Sequence, residues 1–137
     1  MSISGTLVRL YHTNGRFRGQ HMENTVMHKY MLLLYDVPSA WAKLSPDEMQ
    51  KAIEKYMAWG QKPFVVRGVR LANDVGRVIR STGGPLRTTD GPYSETKEIL
   101  GGYYLIEAET YDHAVKRTLD HPHLEYQGTI EVRQTWE

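Results

Sequence analysis

His28-Lys29-Tyr30-Met31-Leu32-Leu33-Leu34-Tyr35-Asp36 is the stretch from which the architecture follows. Its apolar block is too short for a helix that crosses a domain and is closed by Asp36-Val37-Pro38, so it reads as a β-strand. A strand covered on one face alternates apolar and polar residues, whereas this one is continuously apolar, which predicts cover on both faces. A second run of the same kind, Tyr103-Tyr104-Leu105-Ile106, is reached through Gly101-Gly102, where absent side chains permit unusual dihedrals or close packing. Two such strands belong in the middle of a sheet.

The remaining elements fall around this pair. Ser45-Pro46-Asp47-Glu48 supplies a capping hydroxyl, a proline at the first helical position and a carboxylate three residues after the cap. The spacing predicts a helix with Met49, Ala52, Ile53, Tyr56 and Met57 as its buried stripe, ending by Lys62 because Pro63 disfavours helical geometry before it. Val65 to Leu71 reads as a short strand interrupted at Gly68. Val75 to Ser81 and Leu86 to Thr89 flank the turn cluster Thr82-Gly83-Gly84-Pro85, a hairpin signature, after which Asp90-Gly91-Pro92 turns the chain again. Thr110 caps a second helix with Tyr111, Ala114, Val115, Thr118 and Leu119 at helical spacing, ending before Pro122. Gly128 to Trp136 alternates, with Ile130, Val132 and Trp136 on one face and Thr129, Glu131, Arg133 and Thr135 on the other. The order is that of an α+β protein, a ferredoxin-like βαββαβ antiparallel sheet with an inserted hairpin. Its helices cover one sheet face, and a second copy of the chain is the simplest cover for the other, which makes a homodimer the expected assembly.

Composition narrows the classes of function. The 137 residues suit one domain with a core, and the absence of cysteine excludes disulfides, a thiol nucleophile and Cys-ligated metal sites. With 17 basic and 16 acidic residues, the net charge of +1 gives no field to hold nucleic acid or an anionic membrane. No apolar run approaches the ~20 residues that span a bilayer. A cytoplasmic protein acting on a small molecule or a protein partner is expected. Residues 1–26, with Arg9, Arg16 and Arg18 and no sustained period, read as an appended extension, a leader or a cloning remnant, and the folded domain as 27–137.

The stretch from Thr89-Asp90-Gly91-Pro92-Tyr93 through Ser94-Glu95-Thr96-Lys97-Glu98-Ile99-Leu100 to Gly101-Gly102-Tyr103-Tyr104-Leu105-Ile106-Glu107 closely resembles the motif of the DGPF-type, YCII-related proteins. The resemblance extends to Lys29 through Tyr35, to the helix start at Ser45, and to the tail His123-Leu124-Glu125-Tyr126 with Gly128 through Arg133. Tyr93 stands in place of the signature phenylalanine, and Gln127 where family tails often carry glycine. The resemblance implies a dimeric α+β barrel in the bacterial cytoplasm, an unassigned biochemical activity and association with extracytoplasmic-function sigma factors. Some YCII-like relatives are thought to use a His–Asp pair with the histidine in or near the first helix. Ser45 to Lys62 contains no histidine, so that pair does not carry over.

Candidate chemistry then rests on four groups of residues. Asp90 and Tyr93, with Glu95 and Lys97, place polar tips on a loop leading into a central strand, although Asp-Gly-Pro is also a plain turn. His121 and His123 are potential acids or bases near neutral pH; Pro122 between them and the lack of a third ligand argue against a metal, and at least one is expected on a polar surface loop. Glu131 and Arg133 share a strand face, where they pair with each other or with Glu107, or orient a polar ligand. Asp36 either pairs with a histidine or caps the Pro38 turn. Asp90, Tyr93 and His123 are the expected catalytic set, with Glu95, Lys97, Arg133, Glu131, Asp36 and His121 as ligand-binding residues and no cofactor implied. The competing expectation is a regulatory module without enzymatic activity, linked to a sigma factor.

Overall fold

In the computed structural model, which describes residues 26–91 and 98–136, the chain runs through β1 (His28–Asp36), α1 (Pro38–Ala42), α2 (Pro46–Trp59), β2 (Val65–Arg70), β3 (Arg77–Arg80), β4 (Arg87–Asp90), β5 (Ile99–Ala108), α3 (Tyr111–Thr118), a 3₁₀ segment (Pro122–Tyr126) and β6 (Thr129–Gln134). β1 lies between β5 and β6 in a four-stranded sheet ordered β2-β5-β1-β6, and every pair is antiparallel. β3 and β4 form a separate two-stranded sheet. The α+β class and the two central apolar strands are thus as the sequence predicts.

The two faces of β1 are unequal. Tyr30, Leu32 and Leu34 are buried and join Trp59, Ile106, Ala108 and Ala114 in the core under the helices. Met31, Leu33 and Tyr35 point to the opposite face and are half-buried. β1 and β5 run in continuous register until Leu34 pairs with Gly102 and Tyr35 with Leu100, so Gly101 is left over as a bulge. Gly101 and Gly102 keep negative φ; their glycine character answers to close packing, because a Cβ on Gly101 would run into the Asp36 carboxylate and one on Gly102 would sit 2.5 Å from the Val69 carbonyl. Gly68 in β2 has the same reason: its missing Cβ leaves room for the Tyr104 ring, whose nearest atom would be 2.8 Å away.

α2 begins with the predicted capping box: the Glu48 amide donates to Ser45 Oγ at 3.1 Å and the Ser45 amide donates to Glu48 Oε1 at 2.8 Å. It ends at Trp59, three residues before the predicted limit, where the indole N–H donates to Asp120 at 2.9 Å and Lys62 pairs with the same carboxylate at 3.0 Å. Both contacts hold the chain after α3 against the end of α2.

Four readings are corrected. α1 forms at Pro38, where only a turn is expected; it has no side-chain cap and buries no residue, so nothing in its pattern announces it. His121 and His123 sit at the start of a 3₁₀ segment and are both 1% exposed, not on a polar loop. The stripe of α3 is buried only at Ala114 and Thr118, with Tyr111, Val115 and Leu119 exposed. Trp136 lies beyond the end of β6 and is 98% exposed instead of sharing the face of Ile130 and Val132.

Gln127 closes the 3₁₀ segment with φ 63°, the left-handed region that favours glycine. Gln127→Gly is expected to raise stability by about 0.5–1 kcal/mol, since relief of the left-handed strain outweighs the added freedom of the unfolded chain. Urea denaturation of the two proteins measures this; an unchanged or lower midpoint would show that the Gln127 conformation is unstrained.

Candidate functional site

A cleft of about 720 Å³ opens between α2 and the β2–β5 side of the sheet. α2 lines it with Met49, Ile53, Tyr56 and Met57, α1 with Trp41, and β2 with the run from Val66 to Arg70. Ile53 and Met57, 38% and 66% exposed, belong to the stripe predicted to be buried; they face this cleft and not the core. At its inner end stand Asp36, Tyr56 and His123.

His123 is placed by the chain on either side of it. His121 caps the 3₁₀ segment by accepting the His123 amide on Nδ1 at 3.0 Å, with Pro122 at the first position fixing the backbone. Gly128 supplies the space, because a Cβ there would enter the His123 ring. Nε2 of His123 lies 2.8 Å from the Tyr35 carbonyl, which can only accept, so Nε2 carries the proton. Nδ1 is therefore the acceptor, and the Tyr56 hydroxyl donates to it at 2.6 Å. Asp36 Oδ1 is 3.8 Å from Nε2. The β5 bulge lies beside the residue whose carbonyl holds the ring, and its extra residue, Gly101, makes room for the Asp36 carboxylate.

The electrostatics keep this cluster neutral apart from Asp36. Burial pushes the His123 pKa down, against the Tyr35 carbonyl and Asp36, which act to raise it. Burial pushes the Tyr56 phenol well above its usual range, Asp36 adds to the effect, and Arg70 opposes it. The phenol thus stays protonated beside an imidazole that is free to accept. No group of three or more His, Cys, Asp or Glu among the described residues is arranged to hold a metal.

His121 lies behind His123 and does not line the cleft. Its ring is packed against Trp59, Tyr104 and Tyr56, with centroids at 4.4, 4.9 and 5.5 Å, and its Nε2 has no hydrogen-bond partner among the described residues. Glu131 and Arg133 pair at 3.3 Å on the open sheet face, and Tyr35 donates its hydroxyl to Glu131 at 3.1 Å. Asp90 ends β4, opposite Arg77, with which it pairs at 3.6 Å; its carboxylate is 78% exposed and the residue does not line the cleft. Tyr93, Glu95 and Lys97 lie outside the described residues. Of the candidates among the described residues, only Asp36 and His123 meet in the cleft. Tyr56 went unrecognised because its place in the apolar stripe of α2 hid its hydroxyl; a polar tip within such a stripe was the available signal.

The sequence model of the YCII-related domain matches residues 28–137. The chain belongs to the YCII-related domain family. A relative from Rhizobium meliloti (strain 1021), 32% identical over 93 residues that cover 63% of this chain and 73% of that protein, is itself described as uncharacterized. In this YCII-related domain an imidazole–carboxylate contact forms although α2 contains no histidine: the imidazole comes from the 3₁₀ segment and reaches the end of β1. Among the described residues, no helix is long and apolar enough to cross a membrane.

The histidines make stability sensitive to acid. Burial first, then His123, lowers the His121 pKa from its ordinary 6.5 to about 3, with Asp120 acting the other way. The unfolded chain takes up a proton near 6.5 while the folded chain does not, so stability is full above that value and falls as pH drops toward 3. At pH 5 His121 alone is expected to remove about 2 kcal/mol, and His123 acts in the same direction. Melting temperature followed by calorimetry is expected to be flat above pH 7 and several degrees lower at pH 5; equal values at pH 7.5 and 5 would contradict the buried, neutral placement.

Proposed function

We propose that the cleft is a small-molecule site in which Tyr56, backed by His123 and Asp36, moves a proton on and off the bound compound. The observation that carries this reading is the 2.6 Å bond from the Tyr56 hydroxyl to His123 Nδ1 at the inner end of the cleft. Tyr56 is the group that meets the ligand. As its oxygen takes a proton from a carbon next to a carbonyl, its own proton passes to His123 Nδ1, and no free phenolate forms. The imidazolium so produced keeps its Nε2–H on the Tyr35 carbonyl and gains the nearby Asp36 charge. Reversal of the relay returns the proton to the same or a neighbouring atom, giving exchange or isomerisation without a cofactor.

A panel of keto acids and lactones in D₂O, followed by proton NMR, tests the relay. Loss of C–H signal above the uncatalysed background is expected for the full chain, and a reduction of about 10²-fold or more in both Tyr56→Phe and His123→Gln. The acid limb of the rate is expected below the ordinary histidine range, because His123 resists protonation. No exchange with any compound, or exchange unaffected by the two variants, would leave a binding domain without this chemistry.

We also propose that the sheet is the ferredoxin-like half of a dimeric α+β barrel, closed by a second copy through the face bearing Met31, Leu33, Tyr35, Tyr103 and Leu105. The polar groups on this face already have partners: Tyr35 and Arg133 on Glu131, and Arg67 donating to the Tyr103 hydroxyl at 3.2 Å. Covering the Glu131–Arg133 pair strands neither of its charges, which removes part of the cost of burying such a face, while Arg67 is held by a neutral partner. Sedimentation at micromolar concentration is expected to give a dimer, and a monomer would overturn the assembly.

A further inference from the structure

Arg70 has a position that the proton relay does not use. It is the last residue of β2, opposite Gly102 in the ladder, and it lines the cleft together with Tyr56. Its guanidinium makes no ion pair and no hydrogen bond with any described residue. The other arginine near the cleft, Arg67, pairs opposite Leu105 and so turns to the open sheet face, where it donates to the Tyr103 hydroxyl and lies 6.0 Å over the Tyr103 ring. Among the lining residues Asp36 is the one carboxylate, and it stands at 3.8 Å from His123. Arg70 makes no ion pair with it, so the cleft presents a guanidinium whose charge no carboxylate among the described residues neutralises at contact.

The walls between Arg70 and Tyr56 are apolar. Met49, Ile53, Met57 and Val66 line the space, and three of these four are more than a third exposed, so they offer hydrophobic surface that the fold itself leaves uncovered. The volume of about 720 Å³ is ample for a small organic molecule. A fork of N–H donors at one place, an apolar passage, and a phenol that gives or takes a proton at another together describe a ligand with matching parts. We infer that the cleft takes an organic carboxylate with an apolar body, and that Arg70 is its carboxylate-positioning residue. The planar guanidinium suits a carboxylate, which it can bind through two parallel hydrogen bonds. Held there, the apolar body lies along Ile53 and Met57 and brings the reacting carbon toward Tyr56. This inference rests on the small-molecule reading of the cleft, while it does not require that the relay turn over.

Binding is tested with benzoate, phenylacetate and hexanoate against benzamide, phenylacetamide and hexanamide, by thermal shift and by calorimetric titration on the full chain. Each acid and its amide have nearly the same shape and differ in charge. At least one acid is expected to raise the melting temperature and to bind about tenfold or more tightly than its amide. Arg70→Gln is expected to erase that preference, and Arg70→Lys, which keeps the charge but not the fork, to retain part of it. Tyr56→Phe and His123→Gln are expected to keep the preference even where they stop proton exchange. The melting curve without ligand shows whether each variant is folded, and Arg70→Lys carries the comparison if Arg70→Gln is not. No preference for any acid over its amide, or a preference that survives in Arg70→Gln, would overturn the assignment and leave the relay standing. Acid binding that depends on Arg70 without any proton exchange would support the assignment and remove the relay.

Discussion

The His123 ring is the constraint on which the site depends. One nitrogen is held by the Tyr35 carbonyl of β1 and the other by the Tyr56 hydroxyl of α2, while the backbone amide is held by the neighbouring His121. Two stretches far from it in sequence are thereby fixed to one side chain, of a residue that is 1% exposed. A buried imidazole with both nitrogens satisfied has one tautomer and one orientation, and a buried network that is fully paired specifies its surroundings closely. The glycines follow from it. Gly128 leaves space for the ring, and Gly101, left over by the slip in register, leaves space for the carboxylate beside it.

Much of the fold was legible because its signals are local. The capping box of α2 lies within four consecutive residues, the hairpin turn within another four, and the two central strands announce themselves by uninterrupted apolarity. What escaped was set by tertiary contact. α1 has neither a capping side chain nor a buried face, so its five residues carry no periodic signal. Gly68 reads as a defect in a strand until the Tyr104 ring that fills its place is known.

The site was legible in part, and the division is physical. Asp36 and His123 drew notice by residue type, but 87 positions of sequence separate them, and no spacing rule joins an aspartate at a strand end to a histidine in a 3₁₀ segment. Tyr56 counted as one more large residue in an amphipathic stripe. That stripe serves two environments: Ala52 and Trp59 are buried, while Ile53 and Met57 line an open cleft. Helical spacing reports that a face is apolar and is silent on whether protein or a ligand is to cover it. Asp90 shows the reverse case, an acidic residue in a recognisable motif whose carboxylate lies in solvent beside Arg77.

β2 is also the last strand on its side of the sheet, with hydrogen-bonding groups along one margin that no described strand occupies. Such a margin invites strands from other molecules to add on and extend the sheet into an aggregate. Two features described above work against this. The register of β2 breaks between Val65 and Arg67, which bends the strand out of line, and Arg67 and Arg70 set two like charges along it. An incoming copy of the same strand would meet guanidinium against guanidinium. The residue that faces the cleft on one side therefore also helps keep the protein from polymerising on the other, and its neutralisation would carry a cost in solubility separate from any cost in binding.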